Sequence, residues 1–406
     1  MHIAFILISL LAVELVCLAI LRLGKAPEKT RKIRIAACLL LSLLYVAVLF
    51  NLNTEKDPWD KYSVKYKNLG VPYLEFYSDE QKSSRLSDDL AVFDGRLYVG
   101  GGDYDKNTGP LPIRSYDLAK GGWTSSKELI PDEQIKRFEV LGGKLLTLGT
   151  DPKEDWNLGN YYVLENGIWN TLRVLPDGVH CFDAIEFGEE IFFGLGVTSG
   201  KFPVARFDGE RYSAVDFLKN GEKLDTSENE IVRVYNLFEH KGVLYAFLTF
   251  DVTNEKGEKV YLMDLYAYDG KAFSYESGSL PAEDMREVVS EGNRIFLILG
   301  NTLLSSEDLL CFSALKIGDR VNAVDVIRHN GEIYLLATRK IDKENYYAAI
   351  FKHSENDRFD IVYSFKTDTE AGAFCRDGNS FYVSLGRREN PDGNKSAGQV
   401  IKISIK

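Results

Sequence analysis

From residue 85 onward, one pattern of apolar and polar positions recurs along the chain. It runs through an apolar strand, a tight turn containing glycine, a second strand rich in aromatics, a variable loop and an aromatic-bearing hairpin. Units of about 40–50 residues with four short strands each are typical of β-propeller blades. The pattern therefore predicts an all-β, seven-bladed β-propeller over residues 85–406. The seven turns are marked by Gly95, Gly143, Gly188, Gly242, Gly292, Gly331 and Gly378.

The third and fourth strands of several units are predicted by Asn-Gly and Asp-Gly pairs between alternating apolar residues, as in YYVLENGIWNTL and VARFDGERYSAV. In the first unit LYVGGG ends the second strand, and Tyr116 and Trp123 follow with six residues between them. Tyr162 and Trp169 repeat that spacing. These features resemble the kelch repeat, and the resemblance implies a divergent kelch-type propeller. Later copies keep the spacing with other residue types, at Ala205/Tyr212 and Tyr266/Phe273.

Residues 53–84 are predicted to form a linker plus the strand that closes the ring. The last unit, ending in GQVIKISIK, is one strand short of a full blade. A ring must fasten its ends, because an open strand edge invites pairing with other chains. Two segments could supply the missing outer strand, YSVKYKNL (62–69) and YLEFYS (73–78). The second is favoured because it directly precedes the first blade.

Residues 1–52 are strongly apolar and predict a transmembrane helical hairpin, with helices at about 3–22 and 34–52. The short connection holds six basic residues, which predicts a cytoplasmic loop and both termini outside. The expected localisation is thus an integral, two-pass membrane protein (N-out/C-out) with an extracytoplasmic propeller and the lipid bilayer as a partner. Glu14, within the first segment, could hydrogen-bond to Ser42 or Tyr45, or could mediate assembly with another membrane protein.

The formal charge of -11 is unevenly distributed. Residues 1–52 carry a net +4, which leaves -15 on the remainder. A body this acidic repels phosphate backbones, so nucleic acid is not expected as a partner, and cationic or neutral ligands fit better.

Three cysteines lie in the predicted propeller without the spacing of a metal site. Small buried apolar residues are the leading interpretation, and one long-range disulfide is the alternative. The three are Cys181, Cys311 and Cys375.

The long, variable loops of a propeller share one face, where function usually resides. Polar side chains near the starts of the inner strands would ring the channel mouth on that face. Such a ring of mixed sign could bind a polar ligand or perform acid–base chemistry, or it could be a lining of salt bridges that satisfies itself. In a long loop, Trp156 could stack on a sugar or pack under a neighbouring loop. The ring candidates are Asp89, Arg137, His180, Asp183, Arg233, Arg286, Glu287, Asp325 and Glu370.

A weak calcium motif is also present, in which Asp103, Asp105 and Asn107 alternate along the chain. It lacks the glycine at position six and the carboxylate at position twelve, where Arg114 stands. A solvated loop is therefore the preferred interpretation, and no metal or other cofactor is expected.

Three functions remain open from the sequence. The leading hypothesis is a binding or interaction module for a protein or carbohydrate ligand. The second is a glycan-active hydrolase or lyase that uses carboxylates at the channel mouth. The third is a sensor or assembly subunit of a membrane complex.

Overall fold

The computed structural model describes residue 27 and residues 57–155, 157–197, 200–281, 285–354, 358–387 and 395–405. Within these ranges the helices are short 3-10 turns at Pro58–Tyr62, Asp79–Arg85 and Tyr104–Lys106.

No helix in the described part of the chain is long and apolar enough to cross a membrane. This finding contradicts the predicted localisation as a two-pass integral membrane protein, because the elements found are strands and single helical turns. The segments on which that prediction was based, 3–22 and 34–52, lie outside the described residues, as does Glu14.

Among the described residues, the strands begin at Lys67. In chain order the first are β1 (Lys67–Gly70), β2 (Leu90–Phe93), β3 (Arg96–Val99), β4 (Leu111–Asp117), β5 (Trp123–Ile130), β6 (Asp132–Leu141), β7 (Lys144–Pro152), β8 (Leu158–Glu165), β9 (Ile168–Pro176) and β10 (His180–Phe187). They continue with β11 (Glu190–Val197), β12 (Val204–Phe207), β13 (Tyr212–Ala214), β14 (Phe217–Lys219), β15 (Glu222–Lys223), β16 (Val232–His240), β17 (Val243–Thr253), β18 (Lys259–Tyr268), β19 (Phe273–Pro281) and β20 (Met285–Glu291). The last are β21 (Arg294–Leu299), β22 (Thr302–Ser306), β23 (Ser313–Ala314), β24 (Asn322–His329), β25 (Glu332–Lys340), β26 (Tyr346–Ser354), β27 (Arg358–Thr367), β28 (Ala371–Asp377), β29 (Ser380–Leu385) and β30 (Val400–Ser404).

Consecutive strands pair antiparallel in groups of four, for example β2-β3-β4-β5 and β24-β25-β26-β27. The first strands of the groups contact one another in succession, from β2 through β6, β10, β16, β20, β24 and β28. Strand β28 then contacts β2, which closes the circuit. A closed circuit of four-stranded antiparallel sheets around a central channel is a β-propeller.

The local signals in the sequence are confirmed at the turns and hairpins. All the marker glycines have positive φ, from 48° at Gly378 to 78° at Gly242, as tight strand-to-strand turns require. The predicted hairpins pair as β4-β5, β8-β9, β12-β13 and β18-β19.

Strand β1 pairs antiparallel with β30 and completes the last sheet, in the order β1-β30-β29-β28. The expectation that Tyr73–Ser78 would do so is wrong, because that segment forms turns. Tyr73 and Tyr77 are buried while Leu74 and Phe76 are exposed, a spacing of four rather than the alternation of a strand. The Tyr73 hydroxyl donates to the carbonyl of Val99 (3.0 Å), which anchors the turn on β3.

The cysteine prediction is correct in part. Cys181 is buried and Cys375 is half-buried, but Cys311 is exposed in the loop after β22. All three are free, so no disulfide joins these residues. The burial prediction fails at Cys311 because the turn at Ser306–Cys311 is organised by Asp308, whose Oδ1 accepts the amides of Leu310 and Cys311 (both 2.9 Å).

Candidate functional site

Each inner strand has two neighbouring positions close to the central channel, which for β2 directly precede the strand. Register shifts interrupt the pairing of β6, β10, β16, β20, β24 and β28 at the same distance before the tight turn. A bulge of this kind leaves a residue unpaired and re-aims its side chain. We call the residue four places before the end of each inner strand the floor ring and the residue before it the mouth ring. The floor ring is Asp89, Arg137, Asp183, Asn236, Glu287, Asp325 and Ala373, and the mouth ring is Asp88, Lys136, Phe182, Tyr235, Arg286, Val324 and Gly372.

A cavity of about 470 Å³ opens over these rings. Every member of the mouth ring lines it, together with three members of the floor ring, Arg137, Glu287 and Asp325. Inner strands run toward their tight turns, so the mouth ring is the level nearer the long loops. Those loops add Tyr104 and Asp105 to the lining.

Arg137 spans the channel. Its Nη1 lies 2.7 Å from Asp183 Oδ1 on the neighbouring inner strand, and its Nη2 lies 2.5 Å from Glu287 Oε1. Strand β20, which carries Glu287, is separated from β6 by two inner strands on one side of the circuit and three on the other. Nη2 also donates to the carbonyl of Arg286 (3.0 Å). This ion pair therefore crosses the channel at the bottom of the cavity.

Three aspartates of the floor ring tie neighbouring inner strands together. Asp89 Oδ2 accepts the amide of Phe138 (2.6 Å), and Asp183 Oδ2 accepts the amide of Leu237 (2.6 Å). Asp325 Oδ2 accepts the amide of Phe374 (2.9 Å). In each case the donor belongs to the next strand of the circuit, one place beyond its own floor position. The bulge frees that amide, and the aspartate satisfies it.

Burial dominates the protonation of the floor ring. It raises the pKa of Asp89 to about 7, although the hydrogen bond from the Phe138 amide lowers it; the Glu287 charge raises it further. Burial also raises the pKa of Asp325 to about 7 and that of Glu287 to about 8, although the Arg137 charge lowers both. The floor ring thus holds carboxyl groups that titrate near neutral pH.

Aromatic rings and cations pack together on one wall. The Lys136 ammonium lies 4.9 Å from the ring centre of Tyr104 and 5.3 Å from that of Phe182. Phe182 and Tyr235 are 4.6 Å apart between ring centres. Arg233 Nη1 donates to the hydroxyl of Tyr235 (2.8 Å). Cation–π contacts therefore hold basic groups against the wall of the cavity.

His180 lies behind this wall and is neutral. Its ring stacks on Phe182 (5.3 Å between centres, 20° between planes). Asp151 Oδ1 is 3.4 Å from Nδ1, which alone would favour the imidazolium, but Nδ1 is buried without a hydrogen-bond partner. Burial, followed by the charges of Arg233 and Lys136, lowers the pKa of His180 to about 3. We regard the neutral form as the correct one, because the carboxylate is not aligned to accept a proton from Nδ1.

The predicted ring residues divide by position. Asp89, Arg137, Asp183, Arg286, Glu287 and Asp325 meet at the cavity or its floor, whereas His180 and Arg233 lie behind the wall. Glu370 contacts the cavity residue Arg387 (Oε2 to Nη1, 3.6 Å). Trp156 lies outside the described residues.

The calcium candidate gains no support. Asn107, at a positive φ of 54°, accepts a hydrogen bond from the Lys153 ammonium, so its oxygen already faces a cation. Across the described ranges no group of three or more His, Cys, Asp or Glu residues is placed to hold a metal ion.

Sequence reasoning missed Lys136, Phe182, Tyr235 and Asn236. Phe182 and Tyr235 look like ordinary core aromatics in an apolar strand, and only the bulge directs them to the channel. The sequence does contain a signal for these residues, because each one lies at a fixed number of residues before the tight turn of its unit. Lys136 and Phe182 precede predicted ring residues, and Tyr235 and Asn236 hold the same two positions in their own unit.

No family model matches the sequence, and no curated protein is detectably similar to it. Among solved structures, the chain is similar to a catalytically inactive variant of virginiamycin B lyase from Staphylococcus aureus, solved with quinupristin (11% identity, TM-score 0.49, covering 84% of this chain and 99% of that chain). It is also similar to the β-propeller domain of the Trilobed protease from Pyrococcus furiosus, for which an open velcro topology is described (8%, 0.45, 79% and 95%). A third is BamB from Moraxella catarrhalis (11%, 0.35, 79% and 83%). Each TM-score lies below 0.5, so these likenesses support no statement about ligand or activity.

Proposed function

We propose that residues 85–406 form a seven-bladed propeller that acts as a binding module and takes a ligand in the cavity above the floor ring. The observation that carries this proposal is the cavity itself. Its volume of about 470 Å³ and its lining of aromatic, basic and acidic side chains suit a small polar ligand. Residues 67–70, which pair with the C-terminal strand, support the assignment of 53–84 as linker plus closing strand.

The hydrogen bonding of the cavity acids favours binding over catalysis. Asp325 is held by the amide of Phe374, and Glu287 is held by Arg137. A general acid or base must exchange its proton with a substrate during turnover. Acids that fasten the protein's own strands are better suited to fixing the shape of a site.

The binding proposal is tested with the full-length chain and a ligand-observed NMR screen of neutral saccharides, amino acids and small organic acids. We expect members of one chemical class to bind. Val324→Trp should abolish that binding, because the indole would occupy the cavity. The matched control is Lys352→Trp, in a second depression lined by Glu332 and His353, which should leave binding unchanged. Absence of binding by every compound, or binding that survives Val324→Trp, contradicts the proposal.

A kelch-type relationship is part of the same proposal. The Tyr116 and Trp123 rings pack edge to face with centres 5.2 Å apart, and the Trp123 indole donates to the carbonyl of Leu69 in β1 (2.7 Å). Trp169, the equivalent residue in the next unit, packs edge to face on Tyr98 of the preceding unit (5.8 Å). The paired aromatics of the motif thus lie between sheets, which supports their role as repeat-defining residues.

One observation favours a second function, glycan hydrolysis or elimination. The pKa values of about 7 for Asp325 and about 8 for Glu287 fall in the range useful for acid–base catalysis, and both side chains line the cavity. Turnover of a bound saccharide by the wild type, lost in Glu287→Gln with binding retained, would favour this function over simple binding.

A further inference from the structure

The charges on the cavity lining are balanced. Four basic side chains face the cavity, Lys136, Arg137, Arg286 and Arg387. Four acidic side chains face it as well, Asp88, Asp105, Glu287 and Asp325. The formal sum is zero, although the protein as a whole carries -11. With Glu287 and Asp325 ionised, the cavity therefore carries no net formal charge, unlike the protein around it, and protonation of either acid makes it net positive.

Opposite charges also lie side by side at two places in the lining. Asp88 and Lys136 are adjacent members of the mouth ring, and Arg286 precedes Glu287 in the same strand. A charged group of a ligand would lie near one lining residue of opposite sign and one of the same sign. The attraction would then not offset the free energy that the group loses when it is dehydrated. An uncharged ligand avoids that cost.

The lining nevertheless offers many hydrogen-bonding groups. Guanidinium groups only donate, ionised carboxylates only accept, and both are planar and bidentate. A hydroxyl group donates and accepts at once, so neighbouring hydroxyls can use an acid and a base that lie side by side. Phe182 and Tyr235 line the cavity beside these groups, with cations over part of each ring and apolar ring edge elsewhere. The combination suits a ring that carries several hydroxyls and also has an apolar face.

We infer that the ligand of the cavity is an uncharged saccharide, whose hydroxyls bridge neighbouring basic and acidic side chains and whose ring packs beside Phe182 and Tyr235. This inference rests on the proposed binding function and narrows it to one class of ligand. The cavity volume of about 470 Å³ admits a mono- or disaccharide and excludes a long chain from full enclosure.

The test is a panel of neutral hexoses, pentoses and disaccharides, each with its uronic-acid and amino-sugar counterpart, titrated into the full-length chain. We expect the neutral members to bind most tightly. Their Kd should change less than about twofold between about 0.05 and about 0.5 M salt, because no net charge is available for screening. A charged member that binds best, or no saccharide binding at all, overturns the inference.

Charge-changing variants sharpen the test. Lys136→Met leaves the lining with one excess acid. The affinity for the amino sugar, relative to that for its neutral parent, should then rise by roughly threefold or more. Asp105→Asn leaves one excess base and should favour the uronic acid to a similar extent. Lys352→Met, in the separate depression, is the control and should change neither ratio. Unchanged ratios in both cavity variants also contradict the inference.

The two proposals can fail separately. If organic acids or amino acids bind in the cavity and saccharides do not, with binding lost in Val324→Trp, the binding module stands and the saccharide inference falls. If nothing in either screen binds, the binding function itself falls.

Discussion

The floor ring and the mouth ring lie one residue apart on the same strands but differ in what their side chains contact. Floor residues bond to the protein itself: Asp183 accepts the amides of Leu237 and Ala184, and Arg137 connects opposite sides of the channel. The mouth residues Phe182 and Tyr235 face the cavity. In the inner strands other than β2, a single bulge therefore separates a level that fastens the sheets from a level that is available to a ligand.

The comparison implies that floor substitutions change stability and mouth substitutions change binding. In the floor ring, one arginine balances several buried carboxyl groups, so its loss leaves charges that cannot be solvated. In the mouth ring, a lost side chain leaves its place open to solvent at the cavity.

The largest effect is expected for Arg137→Met. This substitution removes the guanidinium that Asp183 and Glu287 share, and should lower the free energy of unfolding by about 3–5 kcal/mol. Urea denaturation of the full-length chain measures this loss. The matched control is Arg211→Met, an exposed residue 3.3 Å from Asp208, for which the change should stay within about 1 kcal/mol. Similar losses in the two variants would remove the distinction between the floor ring and the surface.

Many turns and hairpins of the fold can be predicted from the residue types at a few neighbouring positions in the sequence. Gly95 and Gly242 mark turns with positive φ, and the Asn-Gly pair at 166–167 marks a hairpin, because few residue types adopt these conformations. Asp89 and Asp325 were predictable as channel residues from their place before such turns. These features depend on residues near one another in the chain.

The rest depends on contacts between distant residues. Lys67–Gly70 is the closing strand because it pairs with β30, more than 300 residues away. The pattern of apolar residues at 73–78 does not show which segment makes that pairing. The orientation of Phe182 and Tyr235 depends on bulges whose partners lie on other strands. The cross-channel pair of Arg137 and Glu287 requires the closed circuit of sheets before it can form.

A smaller effect is expected where neighbouring sheets approach at a glycine. A Cβ at Gly194 would lie 2.7 Å from the carbonyl oxygen of Val234, on the inner strand of the next sheet. Because that oxygen belongs to the backbone, Gly194→Ala should cost about 1–3 kcal/mol of unfolding free energy. Gly178→Ala is the control, since its new methyl would meet nothing closer than 3.4 Å. If both variants have the same stability as the wild type, the sheets are not in the tight contact that fixes the channel.

The smallest effect concerns His180, which lies behind the mouth ring and should affect stability only in acid. Burial and the nearby cations lower its pKa in the folded chain to about 3 from 6.5, so the unfolded chain takes up a proton first as the pH falls. The stability that the neutral ring contributes is present above pH 6.5 and is lost as the pH falls toward 3. Between pH 7 and about pH 5.5, the loss of unfolding free energy from this source should be about 1 kcal/mol. His180→Phe keeps an aromatic ring against Phe182 and removes the titration, so its loss of stability over that interval should be smaller by that amount. Parallel denaturation curves at the two pH values measure the difference, and an interval of pH 7 to 8 should show none. Equal acid losses in the wild type and the variant would mean that His180 takes up a proton in the folded chain as readily as in the unfolded chain, which would place a positive charge behind the wall of the cavity.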